Sequence, residues 1–327
     1  MPHDIGLIGA TGIAVRAMLE PARAHRHAHV RAVAASSPAR AEAFRAEHGL
    51  PVAHTGYAEL LADDSLDVVY VSLHNSAHAQ WAIAAAEAGK HVIVEKPLCL
   101  GLRELHAIRH AARSAGVRVV EAMMTGGHPW PETVREVIAS AELGELTEIR
   151  SDIRFDLPAG AGYRFRPELG GGALYDTAGY WLQAVQETVG LDKVTVHGSS
   201  DFAGPHGVDL AFTATLDWPG GLRARLDAAL TGPYRADHEF VFTAGRIRLR
   251  NFLRPAAGPF PVNLAIVPAD GRRRVVSFPP TEYYRTQFER VLRALDDDTG
   301  GPGTGPDTAA EARIALTEQA YLDALSG

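Results

Sequence analysis

The stretch Val92–Ile–Val–Glu–Lys–Pro–Leu98 lies near the end of a run of alternating hydrophobic strands and helices. It predicts a buried strand over His91–Glu95 and places Lys96 directly after that strand. Pro97 then prevents the chain from continuing as a central strand or entering a helix interior. Open parallel sheets bind their ligands outside the carboxyl ends of the strands. A charged pair at this point therefore indicates a functional site and not part of a core.

Composition narrows the class of protein. The 327 residues are enough for two domains, and the net charge of −7 is dispersed, which argues against a nucleic-acid partner. The sequence contains no apolar run of the ~20 residues that a membrane helix needs, so we expect no membrane partner. The single cysteine, Cys99, cannot form an internal disulfide and is consistent with a reducing cytoplasm. We expect a cytoplasmic protein.

Residues 1–122 alternate between short hydrophobic strands and helices of 10–13 residues. Such alternation implies right-handed crossovers and a parallel sheet. We predict an N-terminal, doubly wound Rossmann domain that binds a dinucleotide. Its predicted strands are Asp4–Ile8, Val30–Ala35, Val52–His54, Asp67–Val71, His91–Glu95 and Arg118–Ala122.

The first strand ends in a glycine-containing turn, Gly9–Ala–Thr–Gly12. A dinucleotide fingerprint has the form Gly-x-Gly-x-x-Gly/Ala, and its middle glycine lets the backbone approach the pyrophosphate. Gly9 and Ala14 fill the outer positions here, but Thr11 occupies the middle one. A β-branched residue can still offer its amide and hydroxyl to a phosphate if its φ is negative. We predict cofactor contacts from Gly9, Thr11, Gly12 and Ile13.

The end of the second strand indicates which cofactor is bound. NAD enzymes usually place Asp or Glu there to bind the ribose hydroxyls. This chain has Ala35–Ser36–Ser37–Pro38, with Arg40 one turn into the next helix. Hydroxyl donors and an arginine, without a carboxylate to repel a 2′-phosphate, favour NADP, with NAD possible. A solvated helix charge is the alternative interpretation of Arg40.

Residues 123–327 have a different pattern. After one helix near Pro131–Ser140, eight segments alternate with period two, which predicts a large, mainly antiparallel sheet in an α+β domain. They are Thr147–Phe155, Val194–Ser199, Leu210–Asp217, Leu222–Ala229, Asp237–Thr243, Arg246–Leu249, Val262–Val267 and Arg274–Phe278. A sheet of this size often packs against its own copy, so we expect a homodimer or homotetramer formed through it.

Between the first two of these strands lies the glycine run Gly170–Gly–Gly172, followed by a predicted helix. The helix places Asp176 and Tyr180 at i and i+4 on one face, where a carboxylate and a phenol together can place a proton. An ordinary capped helix with a tyrosine at a domain interface is the alternative. Tyr163 and Arg164 precede the run and are candidates for lining the substrate side, or belong to a surface loop.

Three segments together resemble the glucose–fructose oxidoreductase/inositol dehydrogenase (Gfo/Idh/MocA) family. They are Ala88–Gly–Lys–His–Val–Ile–Val–Glu–Lys–Pro97, Glu168–Leu–Gly–Gly–Gly–Ala–Leu–Tyr–Asp176 and Gly245–Arg–Ile–Arg–Leu249. The resemblance implies a nicotinamide-dependent oxidoreductase in which Lys96 corresponds to the catalytic lysine and Asp176 to the motif aspartate. Tyr180 stands where the common acid/base histidine falls. Tyrosine there is similar to the branch of nucleotide-sugar 3-ketoreductases, dihydrodiol dehydrogenases and xylose dehydrogenases.

The same resemblance implies roles for the residues. On the cofactor side it places Leu73, His74, Asn75, His78, Glu95 and Lys96. The expected reaction is hydride transfer between nicotinamide and a carbinol or keto carbon of a sugar-like substrate. Its simplest form is reduction of a ketosugar, either free or linked to a nucleotide. Lys96 would stabilise the charge on the substrate oxygen, Tyr180 would deliver the proton, and Asp176 would orient a substrate hydroxyl or Lys96.

Several features differ from the family pattern and leave alternatives open. Thr11 replaces a glycine, His74 replaces a common proline, and Gly126–Gly127 replaces bulky residues, which predicts a wider pocket. The alternatives are a dehydrogenase of a free sugar, polyol or dihydrodiol, a reductase of an imine or a specialised biosynthetic ketone, and a non-catalytic dinucleotide-binding sensor. The histidines of His25–His29 have no partner carboxylate nearby in the sequence, so we expect no metal.

Overall fold

The computed structural model describes residues 3–158, 162–297 and 308–327. It divides into two compact units. The first comprises the residues up to Met124 together with Tyr284–Glu311, and the second comprises Thr125–Tyr283 together with Ala312–Gly327. Within the described ranges, no helix is both long enough and apolar enough to cross a membrane.

The first unit contains a six-stranded sheet in the order β3-β2-β1-β4-β5-β6, and all neighbouring strands are parallel. The strands are β1 (His3–Ile8), β2 (Ala28–Ala34), β3 (Val52–His54), β4 (Val68–Val71), β5 (His91–Glu95) and β6 (Val119–Ala122). The predicted doubly wound Rossmann sheet is confirmed. Because the strand order reverses between β1 and β4, the crevice where such sheets bind ligands lies beyond the carboxyl ends of these two strands.

The segment after β1 is helical without a break from Gly12 to Arg23, but its hydrogen-bond pattern changes along its length. It runs as α1 (Gly12–Ala14), a π-helical stretch (Val15–Leu19) and α2 (Glu20–Arg23). The wider turn, in which the Glu20 amide donates to the Val15 carbonyl, comes directly before Pro21, which has no amide hydrogen to donate. The other helices of this part are α3 (Pro38–His48), α4 (Tyr57–Leu61), α5 (His78–Glu87) and α6 (Leu102–Ala115).

One helix joins this unit from far along the chain. Helix α9 (Tyr283–Asp296) follows the strands of the second sheet in sequence, yet Phe288, Val291, Leu292 and Leu295 pack in the same core as the β1 side chains. Their hydrophobic spacing marks an amphipathic helix, but only the tertiary structure identifies the core that it completes.

The second unit contains an eight-stranded sheet in the order β14-β13-β12-β11-β7-β10-β9-β8. Only the β7–β10 pair is parallel, so the predicted, mainly antiparallel sheet is confirmed. The strands are β7 (Leu146–Arg154), β8 (Thr195–Ser199), β9 (Ala211–Asp217), β10 (Arg223–Ala229), β11 (Arg235–Phe242), β12 (Gly245–Leu249), β13 (Asn263–Pro268) and β14 (Arg274–Ser277).

The two faces of this sheet differ in chemistry. On β7, Ile149, Ser151 and Ile153 are buried, whereas the intervening side chains are charged and more exposed. Helix α8 (Ala173–Thr188) contacts β7, β9 and β10, and α7 (Trp130–Ser140) packs against α8. The chain ends in α10 (Thr308–Ser326). The period-two alternation of the sequence therefore corresponds to one covered and one open face.

Candidate active site

The first turn after β1 has a backbone that only glycine can adopt there. Gly9 has a φ of +117°, and a Cβ added to it would lie 2.8 Å from the Ser72 carbonyl oxygen at the end of β4. The turn thus lies directly against the neighbouring strand end. This close approach brings the β1 and β4 ends together at the point where the strand order reverses.

Thr11 occupies the middle position of the fingerprint without strain. Its φ is −123°, and its hydroxyl accepts a hydrogen bond from the Ala14 amide at 3.2 Å, which caps the helix. The same hydroxyl is 2.9 Å from that of Ser72. A β-branched residue is tolerated at this position because its φ is negative. The Thr11 hydroxyl therefore caps the helix and also hydrogen-bonds Ser72 across the turn.

The helix start fits the diphosphate of a dinucleotide. Gly12 is exposed, and a Cβ added to it would meet no atom within 4 Å. Ile13 beside it is half-buried. Open space in front of the first amides of a helix is the arrangement that binds phosphate groups. Gly9, Thr11, Gly12 and Ile13 lie in this turn and helix start, and their contact with a cofactor stays a prediction.

The residues after β2 present donors and no carboxylate. Ser37 caps α3 by accepting from the Arg40 amide at 3.3 Å, while Ser36 and the Arg40 side chain are exposed. Burial raises the pKa of Tyr57 and the charge of Arg40 opposes that rise, so the guanidinium lies near this ring. The chemistry of this group fits the 2′-phosphate of NADP, since Ala35–Arg40 contains no Asp or Glu.

His78 connects two of the predicted cofactor-side segments. Its ring is 1% exposed, with Nδ1 2.8 Å from the Pro97 carbonyl oxygen and Nε2 3.2 Å from that of Leu73. Burial lowers its pKa to about 4. In this arrangement the ring supports the backbone at the end of β4 and in the Glu–Lys–Pro turn. His74 bonds Ser76 through Nδ1 at 3.0 Å, and Asn75 is buried.

The Glu95–Lys96 pair at the end of β5 rests on a buried phenol that sequence reasoning missed. The Tyr70 hydroxyl donates to Glu95 Oε1 at 2.6 Å, and Tyr70 is fully buried on β4. Burial raises the pKa of Glu95, while the Tyr70 hydrogen bond and the Lys96 charge oppose the rise. A lone tyrosine within the apolar run Val68–Val71 was the available signal, because a buried hydroxyl needs a partner. Lys96 is half-buried beside this carboxylate.

In the second unit, the glycine run lies against the segment that carries Tyr163 and Arg164. A Cβ on Gly171 would lie 2.5 Å from the Tyr163 carbonyl oxygen and 2.7 Å from that of Arg164. The Gly172 amide donates to the Arg164 carbonyl at 2.9 Å. The glycines therefore join the predicted substrate-side residues to the start of α8.

The Arg164 side chain also contacts helix α8. Its Nε donates to Asp176 Oδ2 at 2.9 Å, and the Asp176 carboxylate is only 8% exposed. Burial opposes the charge on Arg164, but the oxygens of Asp176, Tyr163 and Tyr180 attract it and raise its pKa. Tyr163, Arg164, Asp176 and the buried Tyr180 thus form one group. All four are residues that the sequence predicted for the site. The sequence did not predict that Arg164 is the positive charge near the Tyr180 phenol.

This group of four residues places the Tyr180 phenol near a fixed positive charge. A guanidinium that is attracted to the Tyr180 oxygen must equally favour the ionised phenol, which has a reference pKa of about 10. A phenol near a fixed cation can exchange a proton more readily than an isolated one. Within the described ranges, no group of three or more His, Cys, Asp or Glu side chains is placed to hold a metal ion.

Comparison with known protein families agrees with this geometry. The profile of the Gfo/Idh/MocA oxidoreductase family, described as having an NAD-binding Rossmann fold, matches residues 3–123. The profile of the Gfo/Idh/MocA C-terminal domain matches residues 132–248.

Individual relatives cover most of the chain. It is 35% identical to D-xylose 1-dehydrogenase (NADP(+)) 2 of Haloferax volcanii, over 89% of this chain and 88% of that protein. It is 34% identical to the dTDP-3,4-didehydro-2,6-dideoxy-α-D-glucose 3-reductase of Saccharopolyspora spinosa, over 98% and 95% of the two chains. The crystal structure of the 3-ketoreductase KijD10 of Actinomadura kijaniata with TDP-benzene and NADP, in an open conformation, matches with a TM-score of 0.83 at 25% identity, over 98% of this chain and 96% of that one. The chain belongs to the Gfo/Idh/MocA family of oxidoreductases.

Proposed function

We propose that this protein is an NADP-dependent reductase of a ketosugar, and that the sugar is linked to a nucleotide. The observation that carries the proposal is the group in which the half-exposed Arg164 pairs with the buried Asp176 and lies near the buried Tyr180, both on the helix that follows the glycine run. Support for the substrate class comes from the dTDP-sugar 3-reductase, which aligns with 98% of this chain.

When bound, the nicotinamide supplies the hydride chemistry, and the protein has to manage the substrate oxygen. Lys96, an ammonium donor at the end of β5, stabilises the negative charge that grows on that oxygen. Tyr180 delivers the proton to it, and the positive charge of Arg164 favours the phenolate that remains. Asp176 holds Arg164 in place and is available to orient a substrate hydroxyl.

The residues after β2 determine the preference for NADP over NAD. Ser36 and Arg40 bind the 2′-phosphate of NADP, and Gly9, Thr11, Gly12 and Ile13 hold the diphosphate. Leu73, His74 and Asn75 follow β4 and line the cofactor side of the crevice. His78 contacts the Pro97 carbonyl oxygen and so positions the backbone of the Glu–Lys–Pro turn. The Glu95 carboxylate lies near the Lys96 charge and positions that side chain.

A second candidate function is the dehydrogenation of a free sugar. The xylose dehydrogenase is 35% identical to this chain, and the same residues can run the reaction in the oxidative direction. A free sugar lacks the nucleotide, so the two candidates differ in the substrate they bind and not in the chemistry at Lys96 and Tyr180.

Residues 123–327 are the predicted substrate-binding and oligomerisation domain. Because α9 packs in the core of the first unit, we propose that Thr125–Tyr283 together with Ala312–Gly327 form this domain of a cytoplasmic homodimer or homotetramer. The open face of the second sheet carries alternating charges, with Arg154 2.6 Å from Asp152 and Arg248 2.6 Å from Glu239. A face with interspersed charges of both signs can be complementary to itself across a two-fold axis. Light scattering after gel filtration measures the oligomeric state, and a monomer at micromolar concentration would reject this part of the proposal.

The function is tested by following NADPH consumption with a panel of dTDP-linked 3-ketosugars, free ketosugars and cyclic imines. The oxidative direction is tested by following NADPH formation from NADP with xylose or a dihydrodiol as substrate. We expect the highest kcat/KM with a dTDP-linked ketosugar. Turnover of xylose alone would favour the dehydrogenase, and turnover of an imine alone would favour the specialised reductase. NADPH binding without turnover of any compound would identify a sensor.

A further inference from the structure

Asp209 is a fully buried carboxylate that the proposed mechanism does not use. It lies in the second unit, just before β9, and is 0% exposed. Aspartate is rarely buried to this extent unless its charge is compensated. The residues that surround it therefore indicate what it does.

The compensation comes from the start of α8. Asp209 Oδ2 accepts from the Leu174 amide at 2.8 Å, and the Asp209 carbonyl oxygen accepts from the Ala173 amide at 2.9 Å. The first two amides of the helix are thus both bound by one residue. A negative charge at a helix N-terminus is favourable, because unpaired amides and the helix dipole are directed at it.

The other carboxylate oxygen explains the last glycine of the run. Asp209 Oδ1 has no hydrogen-bond partner among the described residues, and a Cβ added to Gly172 would lie 1.8 Å from it. Gly172 also has a φ of +113°. A side chain at this position would displace the carboxylate, so Gly172 is needed for Asp209 to reach the helix.

The contact continues to the proposed acid–base group. Gly172 donates its amide to the Arg164 carbonyl and accepts at its own carbonyl from the Asp176 amide at 3.3 Å. Arg164 in turn binds the Asp176 carboxylate. A shift of the first helical turn would therefore move Asp176 and the Arg164 backbone together.

We propose that Asp209 is a positioning residue for the reaction, because its carboxylate fixes the first turn of α8 and so sets the positions of Asp176 and Tyr180. This inference rests on the proposed role of Tyr180. Asp209 itself contacts neither substrate nor cofactor in this proposal and acts only through the helix.

The charge environment of Asp209 agrees with this role. Burial raises the pKa of Asp209 to about 7, and the amides of Leu174, Asp209 and Ala173 oppose the rise. From α10, Tyr321 faces it: burial raises the pKa of that phenol and the Asp209 charge raises it further. Two of these three amides, those of Leu174 and Ala173, belong to the helix that Asp209 positions, so the helix favours the ionised carboxylate against the larger effect of burial.

The test compares Asp209→Ala with Asp209→Asn, which keeps the shape and one acceptor oxygen. Asp209→Ala is expected to lower kcat by about 10- to 100-fold, the cost of a small misplacement of reacting groups, while KM changes within about 3-fold. Hydrogen exchange at the Ala173 and Leu174 amides should accelerate at the same time. Asp209→Asn should restore slow exchange and most of kcat. Asp323→Ala is the matched control, because it removes a carboxylate–amide bond of 2.9 Å to Gly198 elsewhere in the same unit.

A kcat of Asp209→Ala within 2-fold of the parent, with accelerated exchange at Ala173 and Leu174, would overturn the proposal. If Asp209→Ala does not fold, Asp209→Asn decides: a kcat loss as large as that of Tyr180→Phe would mean that the charge acts directly and not through the helix. Failure of the proposed function appears separately, as absence of ketosugar turnover by the parent protein, and failure of the proposed role of Tyr180 appears as full activity of Tyr180→Phe. The exchange rates then still report whether Asp209 holds the helix.

Discussion

Arg164 donates from Nε to the Asp176 carboxylate across 2.9 Å, and this contact joins the segment before the glycine run to the first turn of α8. It is a contact between a half-exposed guanidinium and an almost fully buried carboxylate. Because the same guanidinium is attracted to the Tyr180 oxygen, it connects the three residues on which the proposed proton transfer depends.

Replacing Arg164 with glutamine is expected to lower kcat at least about 10-fold, because Asp176 loses its partner and Tyr180 loses the nearby charge. For the reduction, in which protonated Tyr180 is the donor, the pH above which activity falls should also shift upward. Arg166→Gln is the matched control, since Arg166 is exposed and its side chain pairs with the exposed Glu168. Pre-steady-state kinetics over a range of pH provide the measurement. An unchanged pH profile would show that Arg164 does not act on Tyr180.

Tyr180→Phe is expected to lower turnover by at least about 100-fold while NADPH affinity stays within a few-fold, because only the proton donor is removed. Tyr175→Phe, on the same helix, is the control and should retain activity. Turnover is followed by NADPH absorbance and affinity by fluorescence titration. Near-normal activity of Tyr180→Phe would remove this residue from the mechanism.

Arg40→Ala is expected to weaken NADPH binding about 10-fold or more and to leave NADH binding within 2-fold, because a charge-assisted contact to the 2′-phosphate is lost. Arg45→Ala on the same helix is the control, since Arg45 pairs with Glu42 at 2.7 Å. Isothermal titration of both cofactors measures the difference. An equal loss for the two cofactors, or a parent enzyme that prefers NADH, contradicts the assignment.

Gly171→Ala is expected to destabilise the protein by about 1–3 kcal/mol, because the new methyl group would lie against two backbone carbonyl oxygens that cannot move independently. Gly220→Ala is the matched control: it lies in the β9–β10 turn of the same unit, where an added Cβ meets no atom within 4 Å. Urea unfolding compares the two variants. Equal stabilities would show that the segment carrying Tyr163 adapts to the extra atom.

Acid is expected to destabilise the protein through its buried histidines. Burial lowers the pKa of His78 from 6.5 to about 4, so between these values the unfolded chain binds a proton that the folded chain does not. The His78 contribution is complete above pH 6.5 and is lost as the pH falls toward 4, at about 1.4 kcal/mol per pH unit.

His78→Gln should therefore flatten the dependence of the free energy of unfolding on pH between 7 and 5. The slope will not vanish, because burial also lowers the pKa of His238 to about 3 and that of His128 to about 4. Urea titrations at several pH values give the slope. A slope that is the same with and without His78 would show that this ring is protonated in the folded protein.

Much of the fold follows from periodicities within the sequence. Alternation of strands and helices predicted the six parallel strands, and period-two patterns predicted all eight strands of the second sheet, because these signals arise from neighbouring residues. The position of Lys96 after β5 and the i, i+4 relation of Asp176 and Tyr180 are equally local.

The sequence alone determined the elements of this protein, its two sheet types and the residue types at its candidate site, since each is encoded by local spacing. The tertiary structure alone decided which distant groups meet. Tyr70 reaches Glu95 across 25 positions, Asp209 reaches the Leu174 amide across 35, and α9 joins the core of the first unit. Such contacts depend on how the strands are ordered and which side chains share a buried space, and no local pattern carries that information.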